Sequence, residues 1–201
     1  MVHFTLNGVA AEAEGGRSLL SYLRDEARLT AAKLACGEGV CGACSVLLDG
    51  AVVRSCTVPL ERAEGKSVLT LEGFPGDELS LYERAFVEAG AVQCGYCTPG
   101  MVIAAKALLD ANRDPSEAEI RKAIRLNLCR CTGYVKIVDA IRRAAAARAA
   151  ADGVSAAGVS VAGVSVAGAA AGYSAHPRDV EVLARGGIGE RLARVDAAVK
   201  A

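Results

Sequence analysis

Eight cysteines are the residues of this chain best suited to do chemistry, and their spacing divides them into two sets. In Gln93-Cys94-Gly95-Tyr96-Cys97-Thr98-Pro99-Gly100, two cysteines stand just before a helix-starting Thr-Pro. The positive end of a helix dipole favours thiolate over thiol, and thiolate is what a soft metal centre binds. A second pair, Cys129 and Cys131, follows in Asn127-Leu-Cys-Arg-Cys-Thr-Gly. The other set lies earlier, as Cys36-x4-Cys41-x2-Cys44-x11-Cys56. That is the spacing of plant-type [2Fe–2S] proteins. Three thiolates converging on one small cluster force the backbone to fold tightly. Gly37, Gly39 and Gly42 permit positive φ there and let amide N–H groups approach the sulfurs. Zinc is the competing occupant, but zinc sites usually join two compact pairs and need no glycine-lined loop.

The elements around these residues change character along the chain. Residues 1–76 read as a small sheet with one helix. Phe4 and Leu6 alternate with polar neighbours, Asn7-Gly8 is a hairpin turn, and Val9 to Ala13 returns. Ser18 caps a helix over Leu19, Leu20, Tyr22 and Leu23. Ser45 to Leu48 and Ala51 to Val53 form a second hairpin about Asp49-Gly50, and Ser67 to Glu72 offers a last strand. Strands crossed by one helix predict an α+β, β-grasp-like fold. Residues 77–150 turn to helical periodicity. The expected helices run from Ser80 to Ala89, from Pro99 to Asp110, from Pro115 through Ile120, Ile124 and Leu126, and from Tyr134 to Ala149. Ser116 and Glu119 have capping-box spacing. An all-α four-helix bundle holding the second cysteine set is the expectation.

Composition limits the partners. Lys+Arg 23 balance Asp+Glu 23, so no basic surface argues for nucleic acid. The N-terminus has no charged and apolar leader pattern, which points to a reducing cytoplasm and to metal in place of disulfides. Residues 151–175 repeat Gly-Val-Ser-Val-Ala-like units without Leu, Ile or Phe, a poor membrane span and a better flexible linker. The histidines, His3 and His176, have no partner at ligand spacing. Gln93 alone reads as a local cap, Arg130 as a charge beside two ligands or a solvated one, and Tyr96 and Tyr134 as packing residues.

Taken together, the first cysteine motif, the Gln93–Gly100 motif and Asn127-Leu-Cys-Arg-Cys-Thr-Gly-Tyr134 resemble the small iron–sulfur subunit of the molybdenum hydroxylases, the xanthine dehydrogenase and aldehyde oxidoreductase family. The resemblance implies a ferredoxin-like domain and a helical domain with one [2Fe–2S] cluster each. It implies Cys36, Cys41, Cys44 and Cys56 as ligands of one and Cys94, Cys97, Cys129 and Cys131 as ligands of the other. Gln93 and Cys131 match positions that approach the pterin of a molybdenum cofactor held by a large partner subunit. The cluster of the ferredoxin-like domain would pass electrons to FAD in a medium subunit. Val40 stands where many relatives carry Gly, which is expected to stiffen the loop. Residues 176–201, around Gly187-Ile188-Gly189, resemble the start of the molybdenum-binding subunit. No base or nucleophile for substrate chemistry is visible. The alternatives are a free-standing ferredoxin-like carrier and a zinc-binding interaction module.

Overall fold

The computed structural model describes residues 1–151. The expected linker, apart from Ala151, and the tail at 176–201 lie outside them. Both hairpins form. β1 (Val2–Leu6) pairs antiparallel with β2 (Val9–Ala13), and β3 (Ser45–Leu48) with β4 (Ala51–Arg54). The turns need left-handed backbone at two successive residues, which Asn7-Gly8 (φ 51° and 83°) and Asp49-Gly50 (φ 49° and 79°) supply. β5 (Ser67–Leu69) runs parallel to β1 and antiparallel to β3, so the mixed sheet has the order β2-β1-β5-β3-β4. The last strand is shorter than its hydrophobic pattern suggests. Asn7 Oδ1 accepts from the Thr70 amide at 2.9 Å, and the chain then turns through a 3-10 segment, Leu71–Gly73.

One face of the sheet is closed by α1 (Leu19–Ser21), whose Ser18 side chain accepts from Ser21 N, and the π turn Tyr22–Glu26 that continues it. Val2, Phe4, Val46, Leu48 and Val68 meet Leu19, Leu20 and Leu23 there. The four later helices close the other face. These are α2 (Gly76–Glu88), α3 (Thr98–Ala111), α4 (Glu117–Ile124) and α5 (Val135–Ala151). Their shared core of Tyr82, Phe86, Met101, Ile103, Ile120 and Ile141 also takes in Leu47 of β3, with Val52 and Leu69 packed against it. All four residues of β3 are therefore buried. A mixed sheet with helices makes the chain α+β, with a ferredoxin-like domain.

The helix ends differ from expectation in ways that matter for the cysteines. α2 starts four residues early, because Asp77 and Glu78 favour a first turn. The capping box of Ser116 and Glu119 forms as expected. α4, however, stops at Ile124, and Leu126 is 48% exposed. Its carbonyl is engaged by Arg54 Nη2 from the sheet, so the chain leaves the helix to reach the other half of the molecule. Val135 faces solvent, and Ile137, Val138 and Ile141 carry the buried stripe of α5.

Candidate metal centres

The loop from Cys36 to Cys44 folds as its glycines predict: Gly37, Gly39 and Gly42 have φ of 73°, 75° and 71°. The amides of Glu38 and Cys41 point at Cys36 Sγ at 3.4 and 3.5 Å. Val40 needs no positive φ, its side chain is exposed, and its amide also turns to Cys36. The ends of the loop are tied to the scaffold. Lys33 N donates to Ala43 O at 3.0 Å, and Ser55, fully buried, donates its hydroxyl to Cys44 O at 2.7 Å. That second bond brings the segment carrying Cys56 beside Cys44.

The second set gathers around the start of α3. Cys97 is the residue before its first turn, and Cys129 and Cys131 come from the loop between α4 and α5. Tyr134, at φ 70°, folds its hydroxyl back to accept from Cys129 N at 2.8 Å and donate to Asn127 O at 3.3 Å. Thr132 Oγ1 lies 3.1 Å from Cys129 Sγ. Tyr134 is thus more than packing: it shapes the ligand loop.

Among the described residues, no three His, Cys, Asp or Glu side chains close on one point as a single metal ion requires. The sulfurs meet in pairs instead. Cys36 contacts Cys41, Cys44 contacts Cys56, Cys97 contacts Cys129, and Cys94 Sγ lies 3.6 Å from Cys131 Sγ. A [2Fe–2S] centre takes four thiolates over two irons, and sulfurs that meet in pairs suit it.

Protonation follows the surroundings of each sulfur. Amide N–H groups of Cys41 and Glu38 hold the exposed Cys36 thiol down to about 6. Burial and then contact with Cys44 push Cys56 up to about 11. Burial, with contact from Cys129, pushes Cys97 up to about 12. This corrects the expectation from the helix dipole: Cys97 sits at the positive end of α3, but loss of water outweighs the dipole. Burial also acts upward on Cys129, yet donors from Thr132, Cys131 and Cys97 together outweigh it and lower that thiol. Contact with Cys94 raises Cys131. Loading iron would therefore release protons from Cys56 and Cys97 in particular.

Gln93 and Cys131 are both exposed, at the end of the helical half where Cys94 and Cys131 meet. His3 lies 3.8 Å from Glu12 on the surface, far from ligand company. Arg130 is exposed. The contacts between the two cysteine loops carry no signal in the sequence pattern. Leu128 N donates to Cys41 O at 2.8 Å, the Asn127 amide donates to Gly42 O at 3.1 Å, and the Tyr96 hydroxyl donates to Leu34 O.

Two family models match the chain in succession: a 2Fe-2S iron-sulfur cluster binding domain over residues 4–70 and a [2Fe-2S] binding domain over residues 70–142. The nicotinate dehydrogenase small FeS subunit of Eubacterium barkeri is 49% identical over 146 residues, covering 71% of this chain and 93% of that protein. The xanthine dehydrogenase iron-sulfur-binding subunit of Escherichia coli O157:H7 is 42% identical over 145 residues, covering 70% and 91%. Among solved structures, quinoline 2-oxidoreductase from Pseudomonas putida 86 superposes with a TM-score of 0.70 at 42% identity, covering 76% of this chain and 96% of that one. No helix among the described residues is long and apolar enough to cross a membrane. With two successive iron–sulfur domains and relatives matched over nearly their whole length, the chain belongs to the small iron–sulfur subunits of the molybdenum hydroxylase family, and it is an oxidoreductase subunit with two [2Fe–2S] clusters.

Proposed function

We propose that this chain relays electrons one at a time between a molybdopterin site in a large partner subunit and a flavin acceptor, FAD in a medium subunit. Cys94, Cys97, Cys129 and Cys131 would hold the cluster nearer the molybdenum cofactor. Cys36, Cys41, Cys44 and Cys56 would hold the one nearer the acceptor. Residues 1–76 act as a β-grasp domain and residues 77–150 as a four-helix-bundle domain, with 151–175 a linker and 176–201 a tail that resembles the start of the molybdenum-binding subunit. When bound, a [2Fe–2S] centre supplies storage for a single electron. The protein's own residues supply thiolates, amide dipoles around Cys36, and the short connection between loops. The cytoplasm is the proposed compartment.

The observation that carries this reading is the pairing of all eight sulfurs on two facing loop sets. Exposed apolar side chains support a docked partner. Leu34, Val40, Tyr96, Leu126, Leu128 and Val135 are each at least 45% exposed, and all lie on or beside the cysteine loops. A free carrier would be expected to keep that surface polar. Purified chain is expected to be brown and to carry about four irons and about four acid-labile sulfides, since each cluster takes four thiolates. Colourless protein with one or two zincs and no labile sulfide would defeat the assignment.

Gln93 is proposed to contact the pterin together with Cys131. Its exposed amide can both donate and accept, and it precedes a ligand without being one. Gln93→Ala is expected to slow substrate reduction of the clusters in the assembled enzyme and to leave both clusters in place. A polar contact buried at an interface is worth about 1–3 kcal/mol. Rapid mixing, followed by iron–sulfur absorbance, checks this; unchanged kinetics with the large subunit still bound would make Gln93 a local cap.

A further inference from the structure

We propose that Asn127 is a positioning residue for electron transfer between the two clusters, holding the Leu128 amide on the Cys41 carbonyl so that one hydrogen bond joins the cysteine loops. The proposal rests on the ligand assignment above. Cys41 belongs to the first set, and Leu128 directly precedes Cys129 of the second. From Cys41 the connected atoms run through its own carbonyl, across the 2.8 Å hydrogen bond to Leu128 N, and along the Leu128 backbone into Cys129. Electronic coupling decays less through bonds and hydrogen bonds than across an open gap. A single electron passes in each transfer, leaving one cluster as the other gains it. No bond is made or broken, and no proton is required.

Asn127 is what keeps that contact closed. It is 2% exposed, and its Nδ2 donates to Gly42 O at 3.1 Å and to Ser45 Oγ at 3.4 Å. Gly42 O also receives Ser45 N at 3.1 Å and Ser45 Oγ at 2.8 Å, so the turn between Cys41 and Cys44 is gripped from both halves. The other end of the amide, Oδ1, has no partner among the described residues. A buried polar group satisfied at one end only is a poor choice for packing. Its placement is explained by what its donor end holds. Leu126 and Leu128 on either side are 48% and 55% exposed and contribute little grip of their own. The segment is also tied within the helical half, by Asn127 N on Ile124 O at 2.8 Å and the Tyr134 hydroxyl on Asn127 O at 3.3 Å, and to the sheet by Arg54 Nη2 on Leu126 O at a long 3.4 Å. The other crossing, from the Tyr96 hydroxyl to Leu34 O, ends on a residue outside both ligand sets, and so serves as a control.

The test uses the full cluster-loaded chain given a single electron by photo-injection, so that no substrate or partner is needed. The electron should equilibrate between the two clusters, and freeze-quenched EPR at each cluster's own g-values reads the rate. Asn127→Asp keeps the shape and removes the donor. Asn127→Ala removes the side chain and guards against a misfolding effect of a buried carboxylate. In at least one of these variants, iron and sulfide content and each cluster's own g-values are expected to stay. The Leu128 amide should lose its protection from hydrogen exchange, and inter-cluster transfer should slow severalfold. Leu128→Ala, which keeps the N–H, and Tyr96→Phe should retain the unmodified rate. The proposal is overturned if the rate is unchanged while the Leu128 amide exchanges freely. It is equally overturned if both Asn127 variants lose a cluster, which would make the residue a part of the fold alone. An unmodified chain lacking two cluster signals would instead defeat the ligand assignment on which the proposal stands.

Discussion

Cys129→Ser is expected to lose one cluster and to lower the thermal midpoint of the helical half by about 10 °C or more, whereas Cys36→Ser loses the other cluster and leaves that half folded. The difference follows from where the sulfurs sit. Cys97 and Cys129 pack against the core shared by α2 to α5, and Cys129 joins the α4–α5 loop to the start of α3. Binding at such a site contributes to folding free energy, because the ligands are brought together only in the folded state. For a domain of this size, each lost kcal/mol moves the midpoint by about 4–8 °C. Removing the cluster also leaves two cysteine loops without the bonds that close them. Cys36 is exposed, and its loop is held independently through Lys33, Ala43, Cys44 and Ser55. Iron analysis with circular dichroism melts would check the pair. Equal loss of helix in both variants would show that the halves fold as one unit.

Gly42→Ala is expected to separate the cysteine loops and to cost at least about 2 kcal/mol, with impaired cluster retention in both sets. Two effects add. At φ 71° an L side chain is strained by about 1–2 kcal/mol. A Cβ there would also run into the Leu126 carbonyl and stand 2.7 Å from Asn127 Nδ2, neither of which can retreat without opening the seam. Gly100 faces the same place from α3, where an added Cβ would strike the Gly42 carbonyl. Gly50, at φ 79° with nothing near it, is the control: Gly50→Ala should bear the backbone strain alone. Denaturant melts and iron content of the two variants separate strain from collision. Equal losses would mean that the close approach contributes nothing.

Much of the site is legible in the sequence, because the signals are local. Asn7-Gly8 and Asp49-Gly50 are turns that demand left-handed backbone, and both form. Ser116 and Glu119 satisfy orphan amides three residues apart, and the capping box is there. The spacing around Cys36, Cys41 and Cys44 carries its own glycines, and the loop adopts the φ values those glycines allow. Where sequence and structure differ, a distant contact overrides a local preference. The periodicity carries α4 to Leu126, but the chain leaves the helix so that Leu126 O, Asn127 and Leu128 N can bond to Arg54, Gly42 and Cys41.

Residue types and short spacings were enough to specify two thiolate sets, the turns beside them and the helices that follow, since each depends on a few adjacent residues. Which sulfur meets which could not be read that way. Cys97 finds Cys129 and Cys94 finds Cys131 only because α3 and the α4–α5 loop are packed together on one core. Cys97 stands at the positive end of a helix and is raised all the same, because burial is a property of everything that surrounds a sulfur and not of the helix it begins. The same holds for β3, whose two faces are both buried because α1 and the later helices approach from opposite sides. The joining of the two cysteine loops is likewise tertiary. It depends on two glycines leaving room and one buried amide filling it, at positions far apart in the chain, where proximity is created by folding alone.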